Sequence, residues 1–295
     1  MNLILRSLIF FLYSLRCTLI ALSRDYDVVV ASSTPLTAAI PGIIAKIFRS
    51  KKFVFEVRDL WPELPVAMGV IKNPIIIFLL KYLEKTSYWA AHKCIGLSDG
   101  ISKGIKKNEN SKTEIFTIPN GCDNSLIQQT LSSKKLSSMK KVFRLIYSGT
   151  HGIANGLDYL IDCAKELQKV DEEIEILLVG DGMKKNHLKK RVENEKIKNI
   201  SFYEPMPKAD LFKLYKDCDV GLQILSDIPA FYHGTSPNKF FDYISADLPV
   251  INNYPGWIAD EISSYECGIF VKPNCSNSFV DTVIGLKKNK EVLKT

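Results

Sequence analysis

Short apolar runs alternate with helical patterns along this chain, and this alternation constrains the fold more than any other feature. Most runs are apolar on both faces, as expected for strands of a parallel sheet that helices cover on both sides. The ten runs lie at 27–32, 52–57, 93–98, 114–119, 143–149, 173–180, 199–205, 219–225, 248–253 and 267–273. The pattern predicts an α/β protein with two sheets.

The chain also carries a predicted domain boundary. Its 295 residues are near the size at which one core divides into two. The stretch LIQQTLSSKKLSSMKK, residues 126–141, is rich in Ser and Lys and lacks strand alternation, which is typical of a linker. We therefore predict a partial N-terminal α/β domain over 1–125, a linker over 126–141, and a C-terminal Rossmann-like domain over 142–295. The first domain starts on a helix and has about four strands, so we expect sequence to be missing before it.

Charge and cysteine usage narrow the classes of partner. The net charge of +7 suits an anionic small molecule, a nucleic acid or an anionic membrane face. No Arg-rich tract or nucleic-acid motif is present, so we expect no nucleic-acid partner. The seven cysteines include no Cys-x-x-Cys pair, which favours free thiols in a reducing compartment over disulfides or zinc. No His, Cys and Asp cluster has metal-ligand spacing, so we expect no metal.

The first segment, MNLILRSLIFFLYSLRCTLIAL, is strongly apolar. Arg6 and Arg16 limit its uncharged run to Ser7–Leu15, far short of the ~20 residues that span a bilayer. We predict an amphipathic helix, packed in the fold or lying at a membrane surface. A signal peptide is the alternative, and Arg16 and the cysteine usage count against it. Together with the basic balance, this helix predicts a cytoplasmic protein at the inner face of the plasma membrane.

Three glycine-containing turns follow strands of the predicted second domain: SGTHGIANG, VGDGMKK and HGTSPNK. Ligands of open α/β sheets bind beyond the carboxyl ends of strands, so we expect the three turns on one rim. Glycine lets the backbone approach a ligand closely, and N–H groups at helix starts attract anions. Any one glycine could simply make a turn. The candidate ligand-binding residues here are Gly149, Thr150, His151, Gly152, Gly180, Asp181 and Gly182.

The third turn leads into a predicted helix that opens with a cation. We expect Pro237 at its first position and Thr235 or Ser236 near the N-cap. The first N–H groups and the Lys239 ammonium would then form an anion site, which a phosphate would gain ~0.5–2 kcal/mol from occupying through the helix dipole.

On the same predicted helix, Phe240, Phe241 and Ile244 are expected on the buried face, and Asn238 and Asp242 on another. A carboxylate just beyond a diphosphate can accept two hydrogen bonds from a ribose diol. The alternative is an exposed ion pair of Lys239 and Asp242 that contributes little.

The run FVFEVRDLWPE, residues 53–63, places four charged side chains at the end of a strand. Arg58 and Asp59 are candidate catalytic residues that would orient an acceptor or a phosphate. The alternative is a structural network of Arg58 with Glu56 or Asp59 that holds a loop.

These motifs together resemble a known family. In this order, VFEVRDLWPE, IPNGCD, YSGTHGIANGLDYLI, LLVGDG and GTSPNKFFDYISADLPVI are similar to retaining family-4 (group 1) glycosyltransferases. The branch that they resemble contains fucosamine transferases and related O-antigen, capsule and colanic-acid enzymes. The resemblance implies two facing Rossmann-like domains (GT-B type), with a nucleotide-sugar donor on the second and an acceptor on the first.

The resemblance also assigns roles to individual residues. Asp242 matches the second acid of the family's Glu-x7-Glu motif, which binds the donor ribose, and the first acid falls at Gly234 and is absent. The Arg and Lys that often hold the diphosphate fall at Thr150 and Asn155, so the resemblance implies Lys239 as their substitute.

The resemblance carries over to the first domain as well. The family's catalytic His aligns with Arg58, although Arg-Asp-Leu-Trp-Pro is usual for this branch. Family members also begin with a strand and a Gly-rich loop and end with helices that cross back, and neither is expected in this chain.

The function expected from these observations is retaining transfer of an N-acetylated sugar from a UDP-sugar to a lipid-linked or saccharide acceptor in surface polysaccharide synthesis. No cofactor or metal is expected, because Lys239, backbone amides and helix dipoles would offset the diphosphate charge. The alternatives are a catalytically incomplete fragment that binds the nucleotide-sugar and a UDP-sugar epimerase.

Overall fold

The computed structural model of the chain describes residues 3–108, 113–123 and 142–289. Its contacts divide the chain into two compact units. The first contains residues 1–120 and 228–236, and the second contains residues 121–227 and 237–295. The linker predicted over 126–141 lies outside the described residues, so the domain boundaries at 125 and 142 stay predictions.

The first unit is built on a parallel four-stranded sheet in the order β1-β2-β3-β4. Each strand lies within a predicted apolar run. The strands are β1 (Val28–Ser32), β2 (Lys52–Val57), β3 (Lys93–Gly96) and β4 (Glu114–Thr117). The core of the unit centres on β2, where Phe53 and Phe55 are fully buried.

Five α-helices precede β4 in the described part of the first unit. They are α1 (Leu3–Ser23), α2 (Ile40–Arg49), α3 (Glu63–Ala67), α4 (Pro74–Ala90) and α5 (Asp99–Asn108). Pro74 occupies the first turn of α4 as predicted, and the Asn73 side chain caps this helix by accepting hydrogen bonds from the Ile75 and Ile76 amides. No helix among the described residues is long and apolar enough to cross a bilayer.

The second unit is built on a parallel six-stranded sheet in the order β10-β9-β8-β5-β6-β7. All six predicted runs form strands. They are β5 (Phe143–Ser148), β6 (Ile174–Val179), β7 (Ile200–Tyr203), β8 (Val220–Gln223), β9 (Val250–Asn252) and β10 (Gly268–Phe270). The strand order reverses between β5 and β8, so the carboxyl ends of β5, β6 and β8 meet at the position where open α/β sheets bind ligands.

Seven α-helices follow β5 within residues 142–289. They are α6 (Asp158–Val170), α7 (Lys185–Asn194), α8 (Lys208–Tyr215), α9 (Pro229–His233), α10 (Asn238–Ser245), α11 (Trp257–Ser264) and α12 (Ser276–Lys288). The apolar sides of α6 and α12 pack together over the sheet. Two parallel α/β sheets, the predicted fold class, are therefore confirmed.

The segment 228–236 departs from the sequence pattern, because it packs with the first unit although it follows β8 in the chain. Its helix α9 contacts α3 and α5, and the Ser98 hydroxyl donates a hydrogen bond to the His233 carbonyl at 3.0 Å. The turn HGTSPNK is consequently divided, with residues 233–236 in the first unit and residues 237–239 in the second. The second part of this turn lies at the predicted rim, since Lys239 Nζ is 3.0 Å from the position of a Cβ on Gly149, whereas Gly234 belongs to the first unit.

Candidate functional site

Two glycine turns lie side by side at the carboxyl ends of β5 and β6. Gly180 has a φ of +139°, and a Cβ added there would lie 1.9 Å from the Gly149 carbonyl oxygen. The Gly149 amide donates to the Val179 carbonyl at 2.9 Å, and the His151 amide donates to the Asp181 carbonyl at 2.8 Å. Only glycine at 180 permits this approach, since a side chain would collide with the neighbouring backbone.

Helix α10 is fixed against the same strand end by a buried tyrosine. The Tyr243 hydroxyl accepts a hydrogen bond from the Ser148 amide at 2.9 Å, and the Tyr243 ring packs over Gly221 of β8. The Tyr215 hydroxyl lies 2.6 Å from the Ser148 hydroxyl and extends this contact. Because Tyr243 is four residues after Lys239, the two side chains share a face of α10, and fixing one directs the other toward β5.

The start of α10 differs slightly from the prediction. Pro237 is the N-cap and Asn238 is the first helical residue, so the helix starts one residue later than expected. Tyr243 is fully buried, Asp242 is nearly so, and Ile244 is exposed. The predicted buried face was therefore wrong at Ile244, because the register is set by the Tyr243 contact and by Phe240.

Lys239 reaches from the first turn of α10 to the first glycine turn. Its Nζ lies 3.8 Å from the centre of the Tyr147 ring and 3.0 Å from where a Cβ on Gly149 would be. The residue as a whole is half-buried, but Nζ has no exposed surface and, among the described residues, no hydrogen-bond partner. Burial lowers the pKa of Lys239 to about 7. The Tyr147 ring offsets only ~1–2 kcal/mol of the desolvation of an ammonium group, so an anion beside Nζ would stabilise its charged form.

His151 lies inside the first turn rather than on its surface. Its ring is fully buried, 6.1 Å from the Tyr147 ring and 6.3 Å from the Phe202 ring. Burial, and next the charge of Lys185, lower the pKa of His151 to about 4, so its imidazole is neutral at pH 7. Neither ring nitrogen has a hydrogen-bond partner within the described parts of the chain.

The remaining residues of the two turns present backbone to solvent. Thr150 and Asp181 are exposed, and the Thr150 carbonyl accepts a hydrogen bond from the Tyr147 hydroxyl at 2.9 Å. Asp181 accepts from the Gly182 amide at 2.7 Å through its own carboxylate. Gly152 is partly exposed and starts the 3-10 turn Ile153–Asn155.

Lys185 anchors the second glycine turn, and nothing in the sequence pattern indicated it. Its buried Nζ donates to the Gly180 carbonyl at 2.8 Å and to the Tyr203 carbonyl at 3.1 Å. The same Nζ pairs with Glu204 at 2.8 Å. This cation therefore ties the turn after β6 to the end of β7.

Asp242 lies one turn beyond Lys239 and pairs with a lysine from another helix. Lys208, the first residue of α8, has its Nζ 2.8 Å from Asp242 Oδ1. An ion pair between Lys239 and Asp242, the alternative raised by the sequence, is thus replaced by one between Lys208 and Asp242. Asn238, at the head of α10, is exposed.

The candidate residues of the first unit make local contacts. The Thr34 hydroxyl donates to Asp59 at 3.0 Å, the Ser32 hydroxyl donates to Glu56, and the Arg58 amide donates to the Ser33 hydroxyl at 2.9 Å. Burial raises the pKa of Asp59. These contacts join the end of β2 to the end of β1. Neither of the roles predicted from the sequence for Arg58 and Asp59 included a contact with β1.

Thr235 and Ser236 also belong to the first unit. The Thr235 hydroxyl donates to the Phe231 carbonyl at 3.1 Å, and the Ser236 hydroxyl accepts from the Asn120 amide at 3.3 Å. Neither side chain caps α10. Across the described ranges, no cluster of three or more His, Cys, Asp or Glu side chains could hold a metal ion.

Comparison with known proteins yields a family and several relatives. The model of the family described as glycosyl transferases group 1 matches residues 128–295, more than half of the chain. The probable glycosyltransferase WbjE of Pseudomonas aeruginosa is 23% identical over 248 residues, which cover 82% of this chain and 60% of that protein. The chain thus spans less than two thirds of the length of this curated relative.

Solved structures with the same fold match nearly the whole length of this chain. HepE from Anabaena, in a complex with UDP, superposes with a TM-score of 0.71 at 14% identity, covering 96% of this chain and 74% of HepE. Sucrose-phosphate synthase from Thermosynechococcus elongatus gives a TM-score of 0.69 at 14% identity, with coverage of 96% and 70%. These likenesses confirm the predicted GT-B fold class.

Proposed function

The chain belongs to the group 1 glycosyltransferase family, and on that premise we propose that it transfers a sugar from a UDP-sugar donor held at Lys239. The observation that carries the proposal is the buried Lys239 Nζ, which lacks a hydrogen-bond partner within the described ranges and lies against the glycine turn of β5. The UDP found in complexes of HepE supports this choice of nucleotide.

In this proposal the diphosphate binds between the first turn of α10 and the glycine turns. The Lys239 ammonium and the first N–H groups of α10 donate to phosphate oxygens, and Gly149, Thr150 and Gly152 offer backbone at close range. Gly180, Asp181 and Gly182 form the adjoining wall. As the glycosidic bond to the diphosphate breaks, these donors stabilise the developing negative charge without a metal.

Asp242 would bind the donor ribose. Its carboxylate lies one helical turn beyond Lys239 and is held by Lys208 at 2.8 Å, which fixes its position before the ligand arrives. Removing the ribose 2′-hydroxyl should then weaken binding to the native protein and have little effect on an Asp242→Asn variant. Asn238 is exposed beside this carboxylate and is proposed as a further contact.

The first unit would bind the acceptor. Arg58 and Asp59 lie at the carboxyl end of β2, and we assign them the orientation of the acceptor hydroxyl or of a donor phosphate. Thr235 and Ser236 remain proposed donor contacts only. The resemblance to O-antigen, capsule and colanic-acid enzymes supports a lipid-linked or saccharide acceptor, an N-acetylated donor sugar, retention of configuration, and work at the inner face of the plasma membrane.

The test is transfer of radiolabelled N-acetylglucosamine from its UDP-sugar to acceptor lipids extracted from bacterial membranes. We expect labelled lipid whose new linkage has the donor's anomeric configuration, and about 10²-fold lower turnover for Lys239→Ala. Equal turnover by that variant would contradict the role of Lys239. Preference for an ADP-sugar or GDP-sugar in a panel of donors would contradict the nucleotide assignment.

A second candidate is a unit that binds UDP-sugar without transferring it, since Lys239 and the two glycine turns beside it all lie in the second unit. UDP binding without labelled product would favour this candidate. Conversion of the donor sugar in the absence of any acceptor would instead indicate an epimerase.

A further inference from the structure

Helix α4 presents large apolar side chains to solvent, on the side away from the core. Ile75, Phe78, Leu79, Tyr82 and Trp89 are each 58–69% exposed. At 100° per residue these five positions fall within about a third of the helix circumference. We call them the docking face. Contiguous exposed apolar patches of this kind are rare on proteins that stay free in water.

The opposite side of α4 is already occupied by the core of the first unit. Glu84, Ser87, Tyr88 and Ala90 are buried there, and the Tyr88 hydroxyl donates to Glu84 at 3.1 Å. The helix is thus apolar on its outer side in addition to its packed side. Packing within the first unit does not account for the docking face.

The charges beside the docking face are positive. Lys81 and Lys85 are exposed along one edge of it, and Glu84, the acid of α4, is buried on the far side. The excess of positive charge extends to the whole first unit. The first unit contains 16 Lys and Arg against 9 Asp and Glu, and the second contains 23 of each. The entire net charge of +7 therefore belongs to the unit that carries the docking face.

Neighbouring helices continue the apolar surface. Ile47 and Phe48 are exposed on the last turn of α2, which packs against both α4 and α1. On α1 the buried positions include Ser14 and Thr18, whereas Phe11 and six leucines of this helix are exposed. A helix that buries its small polar residues and exposes its leucines has a pattern typical of contact with lipid.

We propose that the docking face binds the surface of an anionic lipid bilayer, with α4 lying in the plane of the interface. Tyr82 and Trp89 suit the headgroup region, where the polar end of each side chain stays hydrated. Ile75, Phe78 and Leu79 would enter the boundary between headgroups and acyl chains. Lys81 and Lys85 would reach lipid phosphates. This inference rests on the proposed work at the inner face of the plasma membrane and deepens it by naming the surface in contact, and it does not depend on the UDP site of the second unit.

A second copy of the chain fits this face less well. An antiparallel two-fold contact of α4 centred near Tyr82 would place Lys81 and Lys85 of both copies along the same edge, in units that each carry seven excess positive charges. An anionic bilayer meets the same side chains with opposite charge. The charge balance therefore selects lipid as the occupant.

Sedimentation with vesicles tests whether the apolar side chains of the docking face bind lipid. The full chain should bind vesicles of phosphatidylcholine mixed with phosphatidylglycerol more tightly than vesicles of phosphatidylcholine alone. The double variant Phe78→Ser, Tyr82→Ser should bind the mixed vesicles about tenfold or more weakly. The matched control, Val170→Ser with Tyr265→Ser, removes two equally exposed apolar side chains of the second unit and should bind as the native chain does.

A second pair of variants tests the contribution of the lysines beside the docking face. Lys81→Gln with Lys85→Gln should lower affinity for the mixed vesicles about 30-fold, with little effect on phosphatidylcholine alone, because both lysines are attracted to an anionic surface. Lys190→Gln with Lys198→Gln removes two exposed lysines of the second unit and is the control. High salt should remove the difference between native chain and lysine variant.

Trp89 reports the contact directly. Tryptophan fluorescence of the native chain should shift to shorter wavelength when mixed vesicles are added. Trp89→Phe, which keeps Trp61 and Trp257, should not show this shift. Native binding by the Phe78, Tyr82 variant, or a native dimer that this variant converts to monomer, would overturn the proposal. Calorimetry with UDP separates the two proposals, since this variant should keep native UDP affinity.

Discussion

Lys239 Nζ lies 3.8 Å from the centre of the Tyr147 ring, and this contact joins the first turn of α10 to β5. The negative face of the ring attracts an ammonium group but accepts none of its three hydrogen bonds fully. Burial accordingly lowers the pKa of Lys239 to about 7. An incoming diphosphate would supply both the missing acceptors and the missing charge.

UDP affinity should therefore depend on pH in a defined direction. Binding a diphosphate favours the protonated amine, so affinity should be highest below pH 7 and fall as the pH rises through the free-protein pKa of about 7. Calorimetry on either side of this pH, in buffers of different ionisation enthalpy, should show proton uptake above it. Lys239→Arg stays charged and should show a flatter profile.

Removing the buried amine should stabilise the fold. Between the folded pKa of about 7 and the ordinary value of 10.5, the unfolded chain binds more protons, so native stability rises with pH across this window. Lys239→Met should raise the free energy of unfolding by roughly 2–4 kcal/mol below pH 7, and the gain should shrink toward pH 10.5. Denaturant unfolding at several pH values measures it. If Lys239→Met were less stable than the native chain at every pH tested, the amine would already be well solvated in the folded protein.

Glu84 should give the opposite pH dependence in the first unit. Burial raises the pKa of this carboxyl from 4.5 to about 7, so the folded state holds its proton longer than the unfolded state does. Stability should fall as pH rises from 4.5 to about 7 and level off above that. Glu84→Gln should be more stable than the native chain by roughly 2–3 kcal/mol above pH 7. The exposed Glu172→Gln, a substitution in the second unit, is the matched control and should leave the profile unchanged.

Gly180→Ala should disrupt the paired glycine turns. The φ of +139° disfavours a side chain, and the added Cβ would lie 1.9 Å from the Gly149 carbonyl oxygen. We expect a loss of roughly 2–4 kcal/mol in thermal unfolding together with weaker UDP binding. Gly285→Ala is the control, since it lies in α12 with nothing within 4 Å of its added Cβ, and it should stabilise by roughly 0.5–1 kcal/mol. Equal stability of the two variants would show that the turns can separate.

The strands were predictable because their signal is local. All ten apolar runs form strands, since a strand covered on both faces must be apolar along its length. The glycine turns after β5 and β6 were predictable for the same reason, because each lies directly behind its strand.

The partners at the site were not predictable, because they join segments that are distant in sequence. Lys208 meets Asp242 through the packing of α8 beside α10, and Tyr147 meets Lys239 through the sheet order. The burial of Tyr243, not the spacing of apolar residues, sets which face of α10 is inward. The segment 228–236 likewise carries no local sign that it packs with the first unit.

Calorimetric titration of UDP into the native chain and into Lys239→Met tests the central claim most directly. Loss of a charged hydrogen bond costs roughly 1.5–3 kcal/mol, so the Kd should rise at least about tenfold in Lys239→Met. The exposed Lys190→Met should bind UDP as the native chain does. Native affinity in Lys239→Met, with the variant folded, would contradict a diphosphate site at this lysine.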